Sequence, residues 1–324
     1  MRAGPIVTVI CSLLITGISA TVWGQSPQNL PPVNLGFTSF LDGAPPAGPG
    51  LYYSQYLNYY NADKITGSNG SALPLPNPQL DVWVSLSQFI YMWDNELELG
   101  PLYIPGKAAL DVLIPTQSAN LNFASPLPIT AANGGLGDIL IGPAIQFDPI
   151  MGANGPLFVH RVEAQMIIPT GQYSSKNLIN PGSNFFQFNP YWAGTAFLTP
   201  KDSISFRAHY LWSAQNNDPW VLNPPGTTNT QAGQAFHINF AAEHEIIAKK
   251  LRVGVNGYYL RQTTDAQLNG SSVAGSREQV LGIGPGAILS FSQTQHVFCN
   301  LYWESYTRNR PEGFHLNLRY VHKF

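Results

Sequence analysis

Charge is what this sequence has least of. Asp, Glu, Lys and Arg together make up 10% of its 324 residues, against about 25% in ordinary globular proteins. The net charge of −2 gives no case for nucleic acid as a partner. Cysteine is almost missing as well: the chain has only Cys11 and Cys299. Long apolar runs are the third lack. Beyond the first residues nothing approaches the ~20 consecutive apolar positions of a membrane-spanning helix.

The N-terminus carries its own message. Arg2 precedes an apolar run from Ile6 to Ile18, about 20 Å long as a helix and too short for a ~30 Å hydrocarbon core. Residues 1–24 read as a secretory signal peptide, cut after Gly24 or after Ala20. Ile10 stands before Cys11, where a lipoprotein signal carries a small residue, so lipidation is rejected. Removal of the signal leaves Cys299 alone, and no internal disulfide can form. A secreted chain without staples needs extensive strand pairing or a large core.

What is present fits the first of these. Tyr, Phe, Asn, Gln, Gly and Pro are plentiful, the mixture a membrane barrel needs for an apolar exterior, an uncharged polar interior and turns. The last eleven residues, FHLNLRYVHKF, alternate: Phe314, Leu316, Leu318, Tyr320, His322 and Phe324 on one parity, His315, Asn317, Arg319, Val321 and Lys323 on the other. Period-two alternation marks twelve candidate strands, near 50–60, 80–91, 107–115, 137–147, 156–168, 184–198, 203–214, 234–245, 251–262, 277–291, 296–307 and 312–324. Links between them alternate between short (SFSQTQ, EIIAKK, LTPKD) and long (TTDAQLNGSSVAGS, NNDPWVLNPPGTTNTQAG, PTGQYSSKNLINPGS). Strands of a closed barrel put alternate links on opposite rims, short turns in the periplasm and long loops outside. A soluble sandwich has no reason to sort loop lengths by parity. The expected fold class is therefore all-β, a transmembrane antiparallel up-and-down β-barrel of about 12 strands over residues 50–324. One link, WDNELELGPLYIP, is too long for a periplasmic turn, and it leaves ten or fourteen strands open. Tyr91, Trp93, Phe147, Phe197, Phe291 and Phe324 fall near periplasmic strand ends, as an interfacial girdle would.

Residues 25–49, rich in Pro and Gly, suit neither strand nor helix. They read either as a periplasmic tail or as a plug, in which Phe37, Phe40 and Leu41 close the barrel mouth. On the strand parities Arg161, Glu163, Gln165, Arg207, His209, His237, Arg252, Arg277, Glu304 and Arg319 face the lumen. Facing lipid, such charges would each cost about 2–4 kcal/mol at the midplane. Facing inward they line a water path or neutralise one another in a ladder that fills the barrel. As lining residues, Arg207 and Arg252 are expected to set solute preference.

No catalytic set emerges. An esterase needs a Ser nucleophile beside an oriented His, and no His-x-Ser pair shares a strand face. His244, between Glu243 and Glu245, has no second His at ligand spacing, so neither metal nor cofactor is indicated. The glycine clusters Gly134–Asp138 and Gly282–Gly286 lack the parallel strand and helix that a phosphate loop requires. Asn69-Gly-Ser71 and Asn269-Gly-Ser271 read as turns.

With these residues laid out, the chain resembles the outer-membrane family of the meta-pathway of phenol degradation. GLGDILIGP at Gly135–Pro143, IIPTGQY at Ile167–Tyr173, NPGSN at Asn180–Asn184, GVNGYYLRQTTD at Gly254–Asp265, SREQVLGIGPG at Ser276–Gly286 and the terminal Phe carry the likeness. The resemblance implies a non-enzymatic barrel in the outer membrane of a Gram-negative bacterium, passing small apolar or aromatic compounds passively. Its expected partners are outer-membrane lipid, the solute, and the barrel-assembly machinery, met through the C-terminal strand that closes at Phe324. A structural or surface-binding barrel that transports nothing is the alternative.

Overall fold

Alternation from end to end closes the chain on itself. The computed structural model describes residues 34–45, 47–99, 102–122, 131–132, 134–153 and 155–324. The signal peptide expected over 1–24 lies outside these. Twelve antiparallel strands form a closed barrel: β1 Gly50–Ile65, β2 Gln79–Leu99, β3 Leu102–Asn122, β4 Ile139–Phe147, β5 Gly155–Glu163 with Met166–Ile168, β6 Gln187–Phe188 with Tyr191–Phe197, β7 Asp202–Ser213, β8 Ala235–Ile247, β9 Leu251–Gln262, β10 Gln279–Ser290, β11 Gln295–Arg308 and β12 Pro311–Lys323. Each strand pairs with the next, and β12 returns to β1 in a register running from Tyr52↔Lys323 to Ile65↔Pro311. The Phe324 amide donates to the Leu51 carbonyl at 3.0 Å, so the final residue completes the seam. Closure satisfies every edge, which lipid would otherwise leave without hydrogen-bond partners.

The two faces sort as the alternation predicts. On β7, Ser205, Arg207, His209, Leu211 and Ser213 are buried inward, while Ile204, Tyr210 and Trp212 are exposed on the lipid side. On β9, Asn256, Tyr258 and Leu260 point in, and Val253 and Val255 point out. Short turns at 198–201, 248–250 and 291–294 share one rim with both ends of the barrel, the periplasmic rim. Loops 214–234 and 263–278 at the opposite rim build a small extracellular sheet from Gln215–Asn216, Thr230–Gln231, Gln267–Leu268 and Ser271–Ser272. Its hairpin turns at Asn269-Gly270, with φ of 50° and 76°, the two left-handed residues a type I′ turn demands.

The irregular link WDNELELGPLYIP is not a loop. β2 and β3 each run for 21 residues and carry their hairpin past the rim, with Met92↔Ala109 still paired and Leu99↔Leu102 at the far end. β1 stops at Gly50, opposite Met92, so this extension stands beyond the barrel wall. A second correction concerns the girdle. Tyr91, Trp93, Phe291 and Phe324 are exposed at the periplasmic rim, but Phe197 shares the inward parity of Tyr191, Ala193 and Thr195 and lines the interior.

The interior holds a piece of the chain itself. Residues 34–45 leave the periplasmic rim at β1 and climb into the lumen, where Phe40 is 1% exposed. The buried apolar clusters of the barrel form around this segment. Phe40, with Leu41, packs among Tyr52, Met92, Ile288, Phe298 and Val321. Leu35 packs with Leu211, Tyr258, Leu260 and Tyr302. Phe37 lies against Tyr56, Val84, Leu86 and Leu113. Each buried large side chain contributes about 1.5–3 kcal/mol.

Candidate functional site

A segment without regular structure still has backbone groups to satisfy, and here the barrel's inward side chains do it. Asn239 accepts from the Gly36 amide at 3.0 Å and donates to Asn34 at 2.7 Å and Thr38 at 3.1 Å. Tyr302 donates to the Gly36 carbonyl at 2.9 Å, and Asn317 to the carbonyls of Gly36 and Phe37, both at 3.1 Å. Thr195 accepts from the Gly43 amide at 3.0 Å, and Gln146 donates to the Gly43 carbonyl at 3.0 Å. Two glycines make the approach possible. Gly36 has φ of 78°, and a Cβ there would lie 2.6 Å from the Tyr302 ring. A Cβ on Gly43 would lie 2.4 Å from the Val159 carbonyl oxygen, so its backbone touches the wall directly.

One ion pair fastens this segment. Asp42 takes two hydrogen bonds from Arg207, at 2.6 and 2.8 Å, with both side chains almost wholly buried. Burial alone would raise the Asp42 carboxyl, but the Arg207 charge and hydrogen bonds, with Arg161 and Arg319 behind them, hold it below the ordinary 3.8. A carboxyl with a depressed folded pKa contributes stability above its unfolded value, and that stability is lost as pH falls through the folded value. The segment is thus expected to stay seated at pH 4 and above and to loosen only below 3.8. Protease protection of residues 34–45 against pH checks this; release between pH 5 and 7 would contradict it.

The residues singled out in the sequence divide by height. Arg161 Nε donates to the Tyr191 hydroxyl at 3.0 Å, and that hydroxyl donates to Glu163 at 2.6 Å. Arg207 lies 4.2 Å from the Tyr191 ring centroid, a cation–π contact. Gln165 donates to Glu163 at 3.2 Å. His209 and His237 stack, centroids 4.2 Å apart, and Asn189 holds both. Nearer the extracellular mouth Glu304 accepts from Tyr60 at 2.7 Å and Tyr258 at 2.9 Å. At the periplasmic end Arg252 reaches Glu245 and Glu243 at 3.3 and 3.4 Å. Arg319 lies buried over the Phe298 ring.

Arg277 is not with them. It is exposed on an extracellular loop and pairs with Asp265 at 3.0 Å. β10 begins only at Gln279, so alternation does not govern position 277, and Glu278 beside it is the buried residue. Asp42 escaped notice, although it is the one charge in residues 25–49. So did Asn58, Asn317 and Asn300, which sit side by side across β1, β12 and β11, buried on the inner face.

The wall itself has a thin place. Ala164 donates to the Pro143 carbonyl at 3.0 Å and Tyr210 to the Pro190 carbonyl at 3.2 Å, but proline has no N–H with which to return either bond. Two rungs, one between β4 and β5 and one between β6 and β7, are therefore half made. Regular pairing lapses between Ile141↔Met166 and Ala144↔Glu163, and again between Met166↔Phe188 and Glu163↔Tyr191. At that height an apolar cavity of about 860 Å³ opens in the lipid face. Its floor is made of small residues and prolines, Ala108, Ala144, Pro143, Ala164, Pro190 and Ala208, and Trp93, Trp192, Tyr210 and Phe236 rim it. Glu163, Tyr191 and His209, which face the lumen, also line it, so only one layer separates cavity from interior.

This geometry has counterparts. Residues 62–320 match the family described as "Putative MetA-pathway of phenol degradation". Among solved structures, an outer-membrane channel from Pseudomonas putida F1 superposes with a TM-score of 0.71 at 15% identity, covering 91% of this chain and 100% of that one. The β domain of the Bordetella autotransporter BrkA gives 0.49 at 11% identity over 86% and 100% of the two chains. A variant of the monoaromatic hydrocarbon channel TodX gives 0.46 at 7% identity over 86% and 91%. No curated protein matches in sequence.

Proposed function

Because the chain belongs to that phenol-degradation family and folds as an outer-membrane barrel, we propose that it passes small apolar or aromatic compounds across the outer membrane, passively, by way of the wall rather than straight through the lumen. The observation that carries the reading is the apolar cavity where two ladder rungs lack donors. An apolar solute loses nothing by leaving through such a gap into lipid, whereas a hydrated one must shed its water. The seated segment 34–45 closes the axial route that ions would take. The barrel supplies binding and a path, and the concentration gradient supplies the driving force. Pocket floors of Ala and Pro leave room for a ring, and the Trp and Tyr rim offers ring faces to stack on.

The test uses intact Gram-negative cells, whose lipopolysaccharide slows apolar compounds. Expression is expected to speed uptake of the apolar dye N-phenyl-1-naphthylamine several-fold, about the ratio that one modest apolar contact provides. Passage of a hydrophilic β-lactam of similar size should not change. Faster passage of both would mean an open porin. Faster passage of neither would favour the structural reading, for which the filled lumen itself speaks: Asp42 and Arg207 neutralise each other across it.

A further inference from the structure

Beneath the seated segment a second cavity of about 570 Å³ opens toward the periplasm, bounded by Ala44 and Ala47 above and by the turn residues Lys249, Lys250, Ser292 and Gln293 below. One side is apolar, from Ile90, Met92, Ile288, Phe298 and Val321. Four arginines also reach it: Arg161, Arg207, Arg252 and Arg319. Two are neutralised, Arg207 by Asp42 and Arg252 by Glu243 and Glu245.

Arg319 is not neutralised. It is 8% exposed, its guanidinium carbon lies over the Phe298 ring at 3.7 Å from the centroid, and its Nε is buried without a hydrogen-bond partner. Among the described residues no carboxylate comes within 4.0 Å of it, since Asp42, the acid that faces it, is spent on Arg207. A buried guanidinium without an anion is costly. Cation–π contacts with Phe298 and, at 5.8 Å, Tyr56 hold its position, and it lines the cavity. Arg161, whose Nε is held by Tyr191, brings a second positive charge to the same space.

We propose that this periplasmic chamber is a binding site for a small amphipathic carboxylate, its head held by Arg319 with Arg161 nearby and its apolar body against Ile288, Phe298 and Val321. A forked guanidinium matches a carboxylate with two parallel hydrogen bonds. The apolar wall excludes a bare inorganic anion as the preferred ligand. The site lies on the periplasmic side of the seated segment, apart from the cavity in the lipid face, and does not depend on the lateral route. Binding to it can fail while passage of apolar solutes holds, and the reverse.

The experiment titrates the full mature protein in a non-ionic detergent with octanoate, octan-1-ol and inorganic phosphate, following heat. Octanoate is expected to bind about tenfold more tightly than octan-1-ol, the worth of one charge-assisted head contact, and phosphate to bind more weakly than either. R319Q should erase the preference for octanoate while leaving octan-1-ol unchanged, and R319K should restore part of it. Equal binding of octanoate and octan-1-ol by the wild type overturns the proposal, as does a full preference kept by folded R319Q. Phosphate binding as tight as octanoate overturns it too. The wild-type comparison decides the matter even where R319Q does not fold.

Discussion

The wild-type barrel is expected to be silent in a planar bilayer, and replacing Asp42 with alanine is expected to make it conduct. The substitution leaves the Arg207 guanidinium buried without its anion, between the Tyr191 ring and the vacated place. Breaking a buried pair by removing one partner costs about 3–5 kcal/mol, which corresponds to a shift of about 10²–10⁴-fold in the population with the segment unseated. The hydrogen bonds that the segment makes with Asn239, Tyr302, Asn317 and Thr195 remain. The expected current is therefore a rapid flicker, not a steady level. Deletion of residues 34–45 removes those bonds as well and should give long, discrete steps. The reversed pair D42R/R207D should be quiet again. If the deletion stays silent, the segment is not what closes the lumen. If the deletion conducts while D42A does not, the ion pair is not the latch. Arg207→Ala is expected to act as D42A does, through the seat of the segment rather than through a preference among solutes, because its donors are already spent on Asp42.

What the sequence discloses and what it hides both follow from the range of the interactions. Each strand shows in its own alternation because one side meets lipid and the other meets the interior, a condition imposed residue by residue. β2 and β3 pass beyond the membrane at Trp93, where that condition ends, and there the alternation degrades into WDNELELG and hides the rest of the hairpin. Arg277 faces inward only if parity is carried past the start of β10, where the same condition ends at the other rim. Phe37, Phe40 and Leu41 were visible as apolar residues with no strand to belong to. Their anchor was not, because Asp42 acquires its meaning only from Arg207, 165 positions away. The asparagines that hold the segment were equally opaque. Asn300 and Asn317 look like ordinary lumen residues until strand register sets them side by side, next to Asn58, which bonds His315 instead of the segment. Pro143 and Pro190 sat inside segments already read as strands. The missing N–H of a proline matters only once the neighbouring strand, and the carbonyl it would have met, is known.

The prolines supply the second large effect, expected from closing the thin wall with a reversible bond. In a background with Cys299→Ser, which removes the free thiol, the pair P143C/A164C joins β4 to β5 and the pair P190C/Y210C joins β6 to β7. Directly opposed residues in an antiparallel ladder lie about 4.5–5.5 Å apart, inside the span a disulfide accepts. Pro143 stands opposite Ala164 and Pro190 opposite Tyr210, as the single hydrogen bonds between them show. If apolar solutes leave through the cavity, at least one oxidised variant should lose most of the added dye uptake, about tenfold, the gap between a formed route and none at the scale of one lost contact. Reduction should restore part of it within the same preparation, which rules out misfolding as the cause; the rest stays lost because cysteine supplies the N–H that proline lacks. The expected silence in a planar bilayer should not change in either state, because the segment 34–45 and its Asp42–Arg207 pair lie untouched on the inner side. Which variant responds identifies the gap that opens. If neither oxidised variant slows the dye, the half-made rungs are not a port, and Pro143 and Pro190 are left with a purely architectural part: to thin the wall behind Glu163, Tyr191 and His209.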